Sequence, residues 1–263
     1  AALVNEARFG FNRLYGVNAP NAQLNPAHFR IRGGNNHPIG LPQINVAGGS
    51  LNFGGPAIFP SGRGDTMFVV AGTVGYLFGR HSVKLGGEFR QFLNNNFQLG
   101  TGTFNFPTVA AFLAGTANSF SVTLGDQSSS VTQGALSFFV QDNYKLRPSL
   151  TLELGLRYDW NMTPTERYDR FIVFDPQSAS LLRVGADIDK IYHQNNKNLQ
   201  PRVGFAWDLF GRGKTVLRGA YGIFAEQPLG SIATPLTANP PLAMPLTFAG
   251  SIRLDNALSL ARA

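Results

Sequence analysis

The sequence predicts an all-β fold: an antiparallel up-and-down transmembrane β-barrel, partial, with about seven strands of a larger barrel and long extracellular loops. Three observations predict it. Residues Leu150, Leu152, Leu154, Leu156, Tyr158 and Trp160 share one parity, while Thr151, Glu153, Gly155, Arg157 and Asp159 share the other. A strand sends alternate side chains to opposite faces, so this stretch has an apolar face ending in aromatics and a charged face. The connections between such segments alternate short and long. Finally, no run of about 18 apolar residues exists, so no membrane helix is expected.

The elements follow in chain order. Leu3–Tyr15 sets Ala7, Phe9 and Phe11 against Glu6, Arg8, Gly10 and Asn12. Thr66–Phe78 aligns Phe68, Val70, Val74, Tyr76 and Phe78. Ser82–Leu93 opposes Val83, Leu85 and Phe89 to Lys84, Glu88 and Arg90. Val131–Leu146 carries Leu136, Phe138, Val140, Tyr144 and Leu146 in register, with Phe139 and Asp142 each on the unexpected face. Leu150–Trp160 is the fifth strand. Arg202–Phe210 opposes Val203, Phe205, Trp207 and Leu209 to Arg202, Gly204, Ala206 and Asp208. Lys214–Glu226 opposes Leu217, Tyr221 and Ile223 to Arg218, Gly222 and Glu226.

The short connections Gly79-Arg80-His81, Arg147-Pro148-Ser149 and Gly211-Arg212-Gly213 each hold Gly or Pro, as tight hairpins require. The long ones, 16–65, 94–130, 162–200 and 227 onward, are rich in Gly, Pro, Asn, Ser and Thr, and are expected to be irregular surface loops. Short turns on one side and long loops on the other are the arrangement of outer-membrane barrels.

Composition narrows the function. Charged residues make up 14 %, below the roughly 25 % usual for soluble domains. The net charge is 22 − 15 = +7, but the basic residues are scattered singly, so nucleic acid is not an expected partner. There is no cysteine, hence no disulfide framework or thiolate metal site. The histidines His28, His37, His81 and His193 lie apart, in loops and a turn, and suggest no metal site. Asp187 and Asp189 are too few for a calcium site. Gly211–Thr215 imitates the end of a phosphate loop, but Asp208 stands where its first Gly belongs and a strand follows. Arg63-Gly64-Asp65 is expected in a Gly-rich loop and, at three residues, carries no weight. No nucleophile–base pair appears, so no catalytic residue, cofactor or enzymatic activity is expected.

Several motifs together carry a resemblance. Phe139-Val140-Gln141-Asp142-Asn143-Tyr144, followed by Leu150-Thr151-Leu152-Glu153-Leu154-Gly155-Leu156-Arg157-Tyr158-Asp159, resembles a hairpin of TonB-dependent outer-membrane receptors. Gly79–Arg90, Pro201–Asp208 and Gly213–Phe224 resemble the Oar-like receptors of Acidobacteria. The resemblance spans nearly the whole chain. It implies a 22-stranded barrel in the bacterial outer membrane, enclosing a plug domain with a TonB box. Against that pattern, residues 1–263 are expected to be part of a single barrel domain, with plug, signal peptide and C-terminal strands lying elsewhere.

On this reading Glu88, Arg90, Glu153, Arg157, Asp159, Arg202, Asp208, Arg218 and Glu226 line the lumen and form cross-strand charge pairs or meet the plug or substrate. Tyr76, Leu152, Leu154, Tyr158, Trp160, Phe205, Trp207 and Tyr221 face lipid or form the aromatic girdles. The expected partners are outer-membrane lipid, the rest of the barrel and plug, the TonB complex through other segments, and a transported ligand: siderophore, oligosaccharide, peptide or cobalamin. The expected function is import across the outer membrane. The alternatives are a non-transporting barrel (adhesion, secretion-linked or structural) and a soluble secreted carbohydrate-binding β-sandwich.

Overall fold

The computed structural model describes residues 2–21, 24, 26–29, 40–228, 230–255 and 257. His37 and the chain's last residues lie outside the described residues. In chain order the strands are β1 (Ala2–Asn18), β2 (Gln43–Val46), β3 (Leu51–Phe53), β4 (Ser61–Phe78), β5 (His81–Gln98), β6 (Thr103–Phe106), β7 (Thr116–Gly125), β8 (Ser129–Arg147), β9 (Leu150–Asn161), β10 (Thr165–Glu166), β11 (Ile172–Asp175), β12 (Ser180–Arg183), β13 (Leu199–Asp208), β14 (Val216–Gly222) and β15 (Ala243–Arg253). A short α-helix, α1 (Val109–Leu113), follows β6.

Seven long strands form an antiparallel wall in the order β1-β4-β5-β8-β9-β13-β14, with β10 added to one end of β8. These are the seven segments whose period-2 alternation is visible in the sequence. The wall is not closed: among the described residues the outer edges of β1 and β14 pair with no strand. Its hairpins turn where sequence allows. Gly79 adopts φ +55°, a conformation a two-residue hairpin needs and a Cβ disfavours.

The register keeps one kind of side chain on each face. The apolar rows run Phe9–Val70–Phe89–Leu136–Trp160 and Val74–Leu85–Val140–Leu156 across successive strands. The two residues that break parity have local reasons. Asp142, on the apolar face near a short turn, is met by His81 Nδ1 at 2.6 Å and accepts from the Ser82 amide at 3.2 Å. Phe139, on the polar face, lies over Gly86, where a Cβ would meet its ring at 2.7 Å.

The seventh strand is shorter than its alternation suggests, ending at Gly222, so Glu226 lies beyond it. It also starts late, because the Asp208 carboxylate accepts from the Gly213 amide at 2.7 Å and holds residues 209–215 in a turn rather than a ladder. Arg63-Gly64-Asp65 lies within β4, not in a loop, and Arg63 pairs with Asp65 at 2.5 Å.

Among the described residues, the long connections carry strands of their own. Segments from three of them assemble a second sheet in the order β15-β7-β6-β2-β3, with β2 and β6 parallel. All three leave the wall at the end opposite the short turns, so this sheet forms a rim there. Burial explains its order. Val46, Phe104, Phe106 and Phe120 are almost wholly buried, and the Phe104 and Phe120 rings stack at 4.4 Å. The 162–200 connection folds a β11–β12 hairpin. It is tied to the wall by buried Glu166, whose carboxylate accepts from the amides of Ser130, Tyr168 and Arg170 at 2.9, 2.7 and 3.0 Å.

Candidate functional site

The polar face of β5, β8 and β9 gathers the charged residues. Glu88 stands opposite Ser137, which stands opposite Asp159; Arg90 stands opposite Ala135, which stands opposite Asn161. With small residues directly across, the nearest opposite charge is two places along the same strand, about 7 Å away at the backbone. Long side chains span that gap. Arg157 Nε donates to both Asp159 oxygens at 2.9 and 3.1 Å, and Arg90 pairs with Glu88. Glu6 and Arg8 pair in the same manner at 3.2 Å. The expected cross-strand pairs are therefore replaced by pairs along each strand, because no opposite charge sits across the ladder.

Asp159 is the hub of this face. Besides Arg157 it accepts from the Gln200 side-chain Nε2, and Gln200 is 2 % exposed. The segment after β14 then folds back over the same face. Gln133 donates to the Pro228 carbonyl at 3.2 Å, and Ala233 packs with Val131 and Phe171. The described residues between Gln227 and Ala238 thus form a cover on the polar face rather than a free loop.

Between cover and wall lies a cavity of about 270 Å³ lined by Glu88, Arg90, Ser137, Arg157, Asp159 and Glu226, among others. The structure brings together five of the nine predicted polar candidates here. Their formal charges sum to 2 − 3 = −1, from two Arg against Glu88, Asp159 and Glu226. Glu153 and Arg202 line a neighbouring cavity of about 380 Å³, where the Arg202 guanidinium lies 4.5 Å from the Phe224 ring centroid. Arg218 is exposed opposite Ala206 and lines neither. Asp208 belongs to the turn. Sequence reasoning missed Ser137 and Gln200; their place on the polar parity was visible, but their burial depends on neighbouring strands.

The apolar face carries the other predicted set. Tyr76 stacks on Phe78 at 5.2 Å, Phe78 on His81 at 5.1 Å, and His81 on Tyr144 at 4.4 Å, a band beside the short turns. Trp207 lies at the same end, opposite Leu150 and Leu217. At the other end of β9, Tyr158 Oη and Trp160 Nε1 donate to the Asn196 carbonyl and side-chain oxygens, both at 3.1 Å. Leu152, Leu154 and Phe205 lie between, and Tyr221 stands opposite Val203. Leu154 is 48 % exposed and Val203 49 %, so no second layer covers this face. A sandwich buries one face of each sheet against the other; this wall leaves its apolar face bare.

A bare apolar face, a charged opposite face and hairpins with short turns at one end define a membrane-spanning β-barrel wall. The chain belongs to the outer membrane beta barrel domain family, whose family model matches residues 1–261. This places it in the bacterial outer membrane. No curated protein and no solved structure matches the chain.

Proposed function

We propose that this wall belongs to an energised outer-membrane importer of the TonB-dependent, Oar-like type. The observation that carries the reading is the cavity among Glu88, Arg90, Arg157, Asp159 and Glu226 on the polar face. A merely structural barrel needs polar lining, but it has no need for a cavity walled by fixed acid–base couples. The receptor-like hairpin motifs of β8 and β9 support the same reading.

On this proposal the polar face lines the lumen and the apolar face meets lipid. The rim sheet and the 162–200 hairpin then lie on the extracellular side, where substrate is first selected. Further strands pair with the free edges of β1 and β14, since an unpaired edge in hydrocarbon leaves backbone groups unsatisfied at several kcal/mol each. A plug inside that barrel meets the ion pairs of the lumen and couples to TonB. The test uses the full-length protein. It should be captured by the purified periplasmic domain of TonB. Cells carrying it should lose uptake of one member of a siderophore, cobalamin and oligosaccharide panel when TonB is deleted. No capture, together with uptake indifferent to TonB, refutes import.

A further inference from the structure

The five-stranded rim sheet is built almost without charge: Arg253, at the very end of β15, is its charged residue among those described, and it pairs with Asp255 at 3.1 Å. Residues 40–62, 99–125 and 227–252, which supply nearly all of it, contain no Asp, Glu, Lys or Arg. Yet one face of this sheet is strongly polar. Its register aligns Asn52, Asn45, Asn105 and Ser119 in one row and Gln43, Thr103, Ser121 and Thr247 in the next. The rows are hydrogen-bonded across strands. Asn45 Nδ2 donates to Asn105 Oδ1 at 3.1 Å, and Asn105 Nδ2 donates to Ser119 Oγ at 3.0 Å. Thr103 Oγ1 donates to Gln43 Oε1 at 3.4 Å, and Ser121 and Thr247 hydroxyls meet at 3.2 Å.

These bonds fix the amides in place without exhausting them. A carboxamide has two donor hydrogens and two acceptor lone pairs, and the Asn45–Asn105–Ser119 chain uses at most one donor from each Asn. Beside the row lies a cavity of about 480 Å³ lined by Gln43, Asn45, Asn52, Asn105, Asn118 and Pro107, with Gly48 and Gly49 in its wall. Its volume lies within the range of small-molecule sites, roughly 300–1,000 Å³. Gly48 and Gly49 adopt φ +69° and +91°, and a Cβ on either would meet no atom within 4 Å, so the tight turn leaves that side open.

We propose that this amide-lined cavity binds a neutral oligosaccharide. Sugar hydroxyls both donate and accept, as do preorganised amides and hydroxyls, so each group finds a complement. Pro107 offers an apolar patch to the sugar's C–H groups. A carboxylated or sulfated glycan gains no cation here and must shed part of its hydration, which is costly. The site is separate from the wall cavity, and its occupation does not depend on import.

The experiment titrates the intact protein, in a detergent with no sugar headgroup, with maltoheptaose, mannohexaose, cellohexaose and oligogalacturonate by calorimetry. At least one neutral probe should bind, with an affinity unchanged between low and high salt, and oligogalacturonate at least tenfold more weakly. Asn105→Leu should weaken the neutral probe at least tenfold. Asn52→Ala, at the edge strand, should weaken it several-fold and decides the matter if Asn105→Leu misfolds. Arg212→Gln in the distant turn should change nothing. The proposal is overturned if no neutral probe binds, if oligogalacturonate binds equally well, or if the Asn variants bind as the parent does. It is equally overturned if they alter only the oligomeric state, which would mark the row as a self-association surface.

Discussion

Leu156 tests the two-faced wall most directly, because its depth and neighbours are both fixed by the register. It stands six residues above the short-turn end of β9 at Leu150. At about 3.3 Å per residue and a tilt near 45°, that is ~14 Å of height, the middle of an apolar band ~25 Å tall. Its partners across the ladder are Val140 and Pro201, and its side chain is 40 % exposed on the bare apolar face. An arginine there has no counter-charge across the ladder. Leu156→Arg should therefore cost about 2–4 kcal/mol in the full-length barrel. Leu154 is a gentler site for two reasons. It lies ~9 Å above the same end, closer to the interface. It also faces Asp142, so Leu154→Arg gains a cross-strand partner worth ~0.2–1 kcal/mol. Glu153→Gln, on the opposite face, should cost under ~0.5 kcal/mol. The assay is denaturant unfolding of the full-length protein folded into lipid vesicles, followed by heat-modifiable gel mobility. The expected order of cost is Leu156→Arg, then Leu154→Arg, then Glu153→Gln. Equal costs for Leu156→Arg and Glu153→Gln would falsify the face assignment.

Three further outcomes follow from the same geometry. Asp159→Asn removes the acceptor charge shared by Arg157 and Gln200 and leaves Arg157 without its ion-pair partner, while Arg90 keeps Glu88; it should destabilise by about 1.5–3 kcal/mol in the same unfolding assay, and Arg157→Gln in that background should recover part of the loss. Gly86→Ala forces a Cβ to within 2.6 Å of the Gly72 carbonyl and 2.7 Å of the Phe139 ring; about 1–3 kcal/mol should be lost, and the pairing Phe139→Ala should relieve the ring clash but not the backbone one. Asp126, in the connection after β7, has its carboxyl held below the usual range by hydrogen bonds from Ser128 and by Arg170, which it meets at 2.5 Å. A lowered carboxyl stabilises the folded loop above the ordinary carboxylate range and loses that contribution as pH falls through its own lower value; hydrogen exchange around Arg170 should rise only in that acid window, and Asp126→Asn should abolish the pH dependence.

The wall was legible because each of its strands is long enough for alternation to stand above noise: β4, β5 and β8 run 18, 18 and 19 residues. The rim sheet was not. β2, β3 and β6 are 4, 3 and 4 residues long, too short for a period of two to be seen. The parallel pairing of Asn45 with Asn105 joins segments 60 residues apart, which no local pattern announces. Phe104, Phe106 and Phe120 stand among Gly, Pro, Asn and Thr, so their composition resembles loop while their burial makes a core. In the polar cavity the charged residues were legible one strand at a time. Their pairing was not, since it depends on which small residue the neighbouring strand places opposite.

Charge is distributed in three zones, and each zone has a physical consequence. On the polar face of the wall, the pairs Glu6–Arg8, Glu88–Arg90 and Arg157–Asp159 cancel locally, so the face offers hydrogen-bond donors and acceptors but little long-range field. The rim sheet carries almost no charge, apart from Arg253 at the end of β15, which Asp255 engages. Much of the basic excess instead collects at the short-turn end, on Arg80, Lys84, Lys145, Arg147, Arg212 and Lys214, where the nearby acids Asp142 and Asp208 are already engaged by His81 and by the turn amide of Gly213. Clustered on a water-facing surface, that excess would fit nucleic acid. Gathered as a collar at one rim of a membrane wall, it fits anionic headgroups on the proposed periplasmic leaflet. The same partition bears on the proposed sugar site: with charge paired in the wall and nearly absent from the rim sheet, recognition at the amide row rests on hydrogen-bond geometry rather than on electrostatic steering.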